Sequence, residues 1–311
     1  MLEFTIYLQN KNLSIATIKR YTRLAELFTQ WNNSEAINYK KKDVLAYLGY
    51  LKNTKNLQTI SRNNTLIALR HYFDYLIAQN EIVQNPTSFI KLRGLHKHNL
   101  QYIFNLEELH TIADNYYLLE VKQTEENLKL KGGYFFKRSY LAKVRNHTML
   151  LFFIHQGLHT REILRLTTED IHLQKASVFI CKGKTRGNER TIPLHATQIG
   201  FLIQYLHEIR PQLETSETDN TLFLPIPKKD PKAKKQAQTS FKGFIKKLKQ
   251  LDTNFNSLVQ LRTSVITHWV KTHGLRKAQY FAGHKSITST EEYIPNDIED
   301  LAEDITKYNP F

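Results

Sequence analysis

Three residue types that handle phosphate esters stand in order in the C-terminal third of the chain: Arg262, His284 behind Ala282-Gly283, and Tyr293 nine residues further on. An arginine fork holds phosphate oxygens, an imidazole moves a proton near neutral pH, and a phenol can act as nucleophile. The set fits displacement at phosphorus in which the protein supplies both the nucleophile and the positive charge. Metal-assisted hydrolysis is less well supplied. His155 and His159 are four residues apart, but Gly157 lies between them and no nearby carboxylate completes a zinc set. His96 and His98 have no acidic neighbours, and Glu169-Asp170 in LTTEDIHL reads as structural capping at a helix end leading towards a strand. The single cysteine, Cys181, supports neither a disulfide nor a cysteine zinc cage. No metal and no cofactor are expected.

The chain that must position these groups has 311 residues, 41% of them hydrophobic, which is enough for two domains with buried cores. Mean hydropathy is −0.47, and no apolar run is long enough to span a bilayer. The N-terminus lacks a basic-then-apolar leader pattern, so a cytoplasmic location is expected. Lys and Arg outnumber Asp and Glu by 44 to 29, giving a net charge of +15 and a pI near 9.6. Such a surplus favours a polyanion, with nucleic acid as the default partner.

Residues 1–95 read as a helical unit in which 13 basic residues face 6 acidic ones. Ser14 caps a helix whose apolar positions Ile15, Ile18, Tyr21, Leu24, Ala25 and Phe28 recur every three or four residues, leaving Lys19, Arg20 and Arg23 outward. Lys40, Lys41 and Lys42 precede a second helix capped by Asp43. A longer helix runs through Ile60, Leu66, Leu69, Phe73 and Leu76 and stops before Asn85-Pro86. Residues 96–104 read as a linker, and a second domain spans 105–311. In it, helices are expected over Leu106–Leu119 and Tyr140–His155, with a hairpin of Ser177–Cys181 and Glu189–Leu194 around the basic loop KGKTRGN. Residues 228–250 hold nine lysines, and prolines mark the first half as a mobile loop. The last 21 residues reverse sign, with seven acids against Lys307. The fold class is mainly α with a small β-hairpin or sheet.

The segment LRTSVITHWVKTHGLRKAQYFAGHKSITSTEEY resembles the signature of the tyrosine recombinase, or phage integrase, family: H-x-L-R-H-T, then L-G-H, then a tyrosine nine residues on. Arg262, His284 and Tyr293 fall on three catalytic positions of that pattern. Upstream, GLHTREILRLTTEDIHL resembles the first motif, G-L-R-x-S-E-L, and KGKTRGNERTIPL resembles the hairpin carrying the catalytic lysine. The resemblance covers essentially the whole chain, and its C-terminal wording is most similar to recombinases of mobile elements in the Bacteroidetes group. Two positions depart from the pattern. His159 stands where the first motif has arginine, with Arg161 at the usual serine, and Val259 replaces the histidine three residues before Arg262.

The resemblance implies a two-domain DNA clamp, with a helical core-binding domain and a mixed α/β catalytic domain. It further implies a site-specific recombinase in which Tyr293 forms a 3′-phosphotyrosine, conserving the ester energy without metal or ATP. Arg262 would hold the non-bridging oxygens, and His284 would donate to phosphate or accept the phenolic proton. Lys184, or Lys182 in its place, would protonate the leaving 5′ oxygen, and either His159 or Arg161 would stand in for the first arginine. Lys19, Arg20, Arg23, Lys40, Lys41, Lys42, Arg62, Arg70, Lys182 and Arg186 are the expected contacts to double-stranded DNA. The tail presents Ile298, Leu301, Ile305 and Tyr308 at helical spacing, and in the family this segment docks on a neighbouring protomer, so a homo-tetramer on DNA is expected. Two alternatives share the fold: a DNA-binding accessory protein with impaired catalysis, and a relaxer resembling type IB topoisomerases.

Overall fold

A computed structural model describes residues 1–32, 39–94, 101–183, 187–213, 220–226 and 241–294. The chain divides into two units, Met1–Asn99 and Leu100–Phe311, each with its own hydrophobic core.

The first unit is built from helices α1 (Leu2–Asn10), α2 (Ile15–Asn32), α3 (Lys41–Asn53) and α4 (Thr59–Ala78). Ser14 caps α2 as its position suggests, its Oγ accepting the Thr17 amide at 3.2 Å. Asp43 is not the cap of α3. It lies within the first turn, where its carboxylate accepts the Lys40 amide at 2.8 Å. Phe28 is the hub of the core, meeting Tyr39, Tyr47 and Phe73 edge-on at centroid distances of 5.2, 5.2 and 5.8 Å. Ile15 and Ile60 fit the helical stripes by spacing but are 74% and 54% exposed, because each lies in a first turn that overhangs the core.

In the second unit, α5 (Leu106–Tyr116) starts in a reciprocal cap between Asn105 and Glu108. It passes through a π-helical turn, Tyr117–Lys122, where continuous α-helix to Leu119 was expected. There follow α6 (Gln123–Lys131), α7 (Tyr134–His155) and the short α8 (Thr160–Ile163). Helix α7 begins six residues before the expected Tyr140, directly after Gly132 and Gly133 in left-handed conformation. Met149 through Ile154 are all buried, which makes α7 the helix around which the unit packs.

Strands β1 (Ile171–His172), β2 (Ser177–Ile180) and β3 (Arg190–Pro193) form an antiparallel sheet in that order, with Ile180 opposite Arg190. The hairpin matches the expectation, and β1 corrects the reading of LTTEDIHL as a helix end. Asp170 accepts both the amide and the hydroxyl of Thr167 at 2.8 Å, folding a turn that delivers Ile171 and His172 to β2. The rest comprises α9 (Ala196–Gln204), α10 (Lys242–Leu251), α11 (Leu258–Ala282, broken at Gly274) and α12 (Thr288–Glu291). Phe104, read as linker, is instead buried in this unit, its amide held by Ser264 Oγ at 3.0 Å. Lys184 and Arg186, the 228–240 loop and the tail with Ile298, Leu301, Ile305 and Tyr308 lie outside the described residues. Among the described residues, no helix is long and apolar enough to cross a membrane.

Candidate active site

The site is assembled around one carboxylate. Glu162, in α8, accepts Arg190 Nη1 on one oxygen at 2.8 Å, and its other oxygen lies 3.5 Å from Arg262 Nη1. Arg190 comes from the first position of β3, is 2% exposed and also donates from Nε to Phe281 O at 2.7 Å. Arg262 stands one turn into α11, whose start is capped by Ser257. Its Nη1 donates to Gly157 O and its Nη2 to Ala282 O at 2.7 Å, so a single guanidinium joins the loop after α7 to the end of α11. Two glycines permit this closeness. At Gly157 (φ +53°), a Cβ would sit 3.1 Å from Val265 Cγ1. At Gly283 (φ +68°), the left-handed cap of α11, it would meet Arg190 Nη1 at 2.4 Å.

His284 follows that cap directly. Its Nε2 lies 3.5 Å from Arg262 Nη2 and its Nδ1 2.9 Å from the hydroxyl of buried Thr290. A guanidinium only donates, so Nε2 carries the lone pair and Nδ1–H donates to Thr290. The His284 and Tyr293 rings stack at 5.7 Å between centroids. Burial, together with the charges of Arg262 and Arg190, pushes the His284 pKa down to about 4 against the opposing pull of Glu162, so the imidazole is neutral at physiological pH. Burial raises the Tyr293 phenol, opposed by the neighbouring Arg262 guanidinium, and the resting side chain is protonated. The result is a neutral imidazole, its Nε2 lone pair facing the Arg262 guanidinium, beside a protonated phenol.

The other expected site residues are distributed unevenly around this cluster. His159 is the N-cap of α8, its Nδ1 accepting the Arg161 amide at 3.1 Å, while its own amide donates to Glu162 Oε2 at 2.8 Å. Arg161 is exposed, as is Lys182. Val259 lies three residues before Arg262 on α11 and is 54% exposed. Lys19, Arg20 and Arg23 are exposed on α2, and Lys40, Lys41 and Lys42 are exposed at the start of α3. Arg62 and Arg70 are partly engaged within the fold, with Thr59 Oγ1 and the Ile90 carbonyl respectively. Glu162, Arg190, Gly283 and Thr290 were not singled out by the sequence. Glu162 and Arg190 lie inside the quoted GLHTREIL and ERTIPL segments, but their pairing joins residues 28 apart.

Burial pushes the Glu162 carboxyl upward, but the Arg190 hydrogen bond, the charges of Arg190 and Arg262 and the His159 amide outweigh it, so its pKa lies below the ordinary carboxylate value. A carboxylate whose pKa is depressed on folding stabilises the protein above its unfolded pKa, and that contribution is lost as pH falls through the native value. Glu162→Gln is therefore expected to lower unfolding free energy by about 2 kcal/mol at about pH 7, with the deficit shrinking towards about pH 3, as read by urea melts.

Comparison with known proteins agrees with this geometry. Residues 136–299 match the phage integrase family, and residues 1–81 match the phage integrase N-terminal SAM-like domain. Tyrosine recombinase XerD of Staphylococcus epidermidis is 26% identical, over 99% of this chain and 97% of that protein. The XerH site-specific recombinase, solved bound to palindromic difH substrate as a post-cleavage complex, superposes with a TM-score of 0.69 at 22% identity, over 96% of this chain and 82% of that one. A lambda integrase tetramer bound to a Holliday junction gives 0.61 at 13% identity, over 94% of this chain and 75% of that one. With both of its units matched, and with an arginine, a histidine and a tyrosine gathered beside the Glu162–Arg190 pair, the chain belongs to the phage integrase family.

Proposed function

We propose that this chain is a site-specific DNA recombinase in which Tyr293 Oη attacks the scissile phosphorus, the P–O5′ bond breaks and a 3′-phosphotyrosine remains. The observation that carries this reading is the convergence of Arg262, His284 and Tyr293 beside the Glu162–Arg190 pair. Arg262 binds the non-bridging oxygens as charge accumulates, an interaction worth about 3 kcal/mol per donor. The neutral His284 accepts the phenolic proton at Nε2. Lys184, or Lys182 in its place, gives a proton to the leaving 5′ oxygen. Attack by a 5′ hydroxyl of a second duplex reverses the steps and joins the strands, so ester energy is conserved throughout.

Double-stranded DNA is the partner that suits the +15 charge and the exposed basic groups on α2 and α3. The DNA-bound states in which XerH and lambda integrase were solved support the same assignment. In this reading the two units clamp the duplex, and Lys19, Arg20, Arg23, Lys40, Lys41, Lys42, Arg62, Arg70, Lys182 and Arg186 face its backbone. The lambda integrase tetramer supports assembly as a tetramer, with residues 297–311 docking on a neighbouring protomer through Ile298, Leu301, Ile305 and Tyr308.

In the first motif we assign phosphate contact to Arg161. Both side chains are exposed, but Arg161 offers a guanidinium with five donors, whereas His159 is held at the N-cap of α8 through Nδ1. A second reading, a DNA-binding accessory protein of the same fold, is favoured by Val259, which offers no donor where the family pattern has histidine.

A nicked suicide duplex carrying the cognate site separates the two readings. A denaturant-resistant adduct that disappears in Tyr293→Phe is expected. Tight binding with no adduct would favour the accessory role, and relaxation of supercoils without joining of two duplexes would favour the topoisomerase-like activity. In the same assay Arg161→Ala abolishes the adduct while His159→Ala leaves most of it, and the opposite order would reject the assignment. Removal of residues 297–311 is expected to weaken cooperative assembly in a mobility-shift titration more than single-site binding. Equal losses would argue against docking in trans.

A further inference from the structure

Three histidines far apart in sequence meet in a cleft of about 420 Å³ that none of the DNA chemistry uses. His110 comes from α5, His155 is the last residue of α7 and His195 caps the start of α9. One ring nitrogen of each lies within 4.8 Å of those of the other two. The His155 and His195 rings stack at 4.3 Å, and His110 is 5.3 Å from the first and 5.7 Å from the second. His159, the spacing partner of His155 in sequence, is instead committed to the cap of α8.

Buried amides hold this arrangement from beneath. Gln156 and Gln198 exchange hydrogen bonds at 3.0 Å, and Gln156 Nε2 also donates to Pro193 O at 2.9 Å. Both glutamines are essentially solvent-free, so the residues flanking them, His155 and His195, are fixed side by side. Thr197 Oγ1 lies 2.9 Å from His195 Nδ1 and orients that ring, the kind of support that metal-binding imidazoles receive. Among the described residues, no carboxylate lines the cleft. The one lysine of the lining, Lys277, has its ammonium 5.7 Å from the Phe281 ring centroid.

We propose that His110, His155 and His195 bind a borderline divalent transition metal, Zn2+ in particular, with a fourth position open to the cleft. Zinc–nitrogen bonds of about 2.0–2.1 Å require donor separations of about 3.4 Å, within reach of small ring rotations at the exposed His110 and His195. An all-imidazole set selects zinc and its neighbours over Mg2+ and Ca2+, which need oxygen donors. A bound ion ties α5, the end of α7 and the start of α9 together. It sits two residues before Gly157, whose carbonyl receives Arg262, and so acts as a brace behind the catalytic loop rather than a participant in phosphate transfer.

The test uses the untagged, chelator-stripped full chain, titrated with Zn2+ against a chromophoric competitor and with Co2+ by visible absorption. One equivalent of zinc per chain and Co2+ bands of low-coordinate intensity are expected. His110→Ala/His195→Ala, at two exposed positions, lowers zinc affinity by about 100-fold or more and removes the bands. His268→Ala/His273→Ala, which alters the other two histidines of the cleft, leaves both within about threefold of wild type. Absence of stoichiometric binding, undiminished binding in the first variant, or loss of binding in the second would each overturn the proposal.

Discussion

Two guanidiniums buried near each other repel, and each loses hydration that neutral neighbours do not replace. In this protein the conflict is resolved by one carboxylate, Glu162, placed against both Arg190 and Arg262. The arrangement dictates much of the surrounding chain. It requires β3 to open with an arginine that points inward, α8 to present Glu162 in its only turn, and α11 to end at a residue without a side chain. A methyl at Gly283 would displace the Arg190 fork, and with it the carboxylate that aligns Arg262. Arg262 also donates to two backbone carbonyls, Gly157 O and Ala282 O, which fixes the guanidinium more firmly than flexible side chains would.

The same charges set the protonation states that the chemistry needs. Burial, with two nearby cations, keeps His284 neutral, while burial outweighs Arg262 at Tyr293 and keeps the phenol protonated. In the proposed reaction, a phosphodiester entering beside Arg262 would bring negative charge, favouring the imidazolium and easing transfer of the proton from the phenol. Thr290, 2.9 Å from His284 Nδ1, holds the tautomer that this transfer would use.

Much of this was legible in residue order because the local rules are strong. The helical stripes of the first unit, the hairpin around KGKTRGN and the Arg262–His284–Tyr293 order all follow from spacing that the chain preserves over short distances. What escaped depends on long-range contact. Glu162 and Arg190 are ordinary charges until the sheet folds back on α8, and β1 is too short for any alternation to reveal. Phe104 resembled linker because the stretch before it, rich in basic and polar residues, has little periodicity, and only packing on α11 makes it core. The His110, His155 and His195 group shows the same limit most clearly, since a metal-ligand spacing is sought locally and these residues are 45 and 40 positions apart. At the first motif, spacing alone offered His159 and Arg161 equally, and in the fold His159 caps α8 while Arg161 lies exposed beside it.

The central claim is that the shared carboxylate aligns Arg262 for phosphate without itself touching DNA. Single-turnover cleavage of a suicide duplex by Glu162→Gln, set beside its equilibrium affinity for the same duplex, tests that most directly. The account predicts a cleavage rate lower by about 100-fold with affinity within about twofold of wild type, the signature of a misplaced clamp. An unchanged rate, or a loss of rate matched by an equal loss of binding, would contradict it.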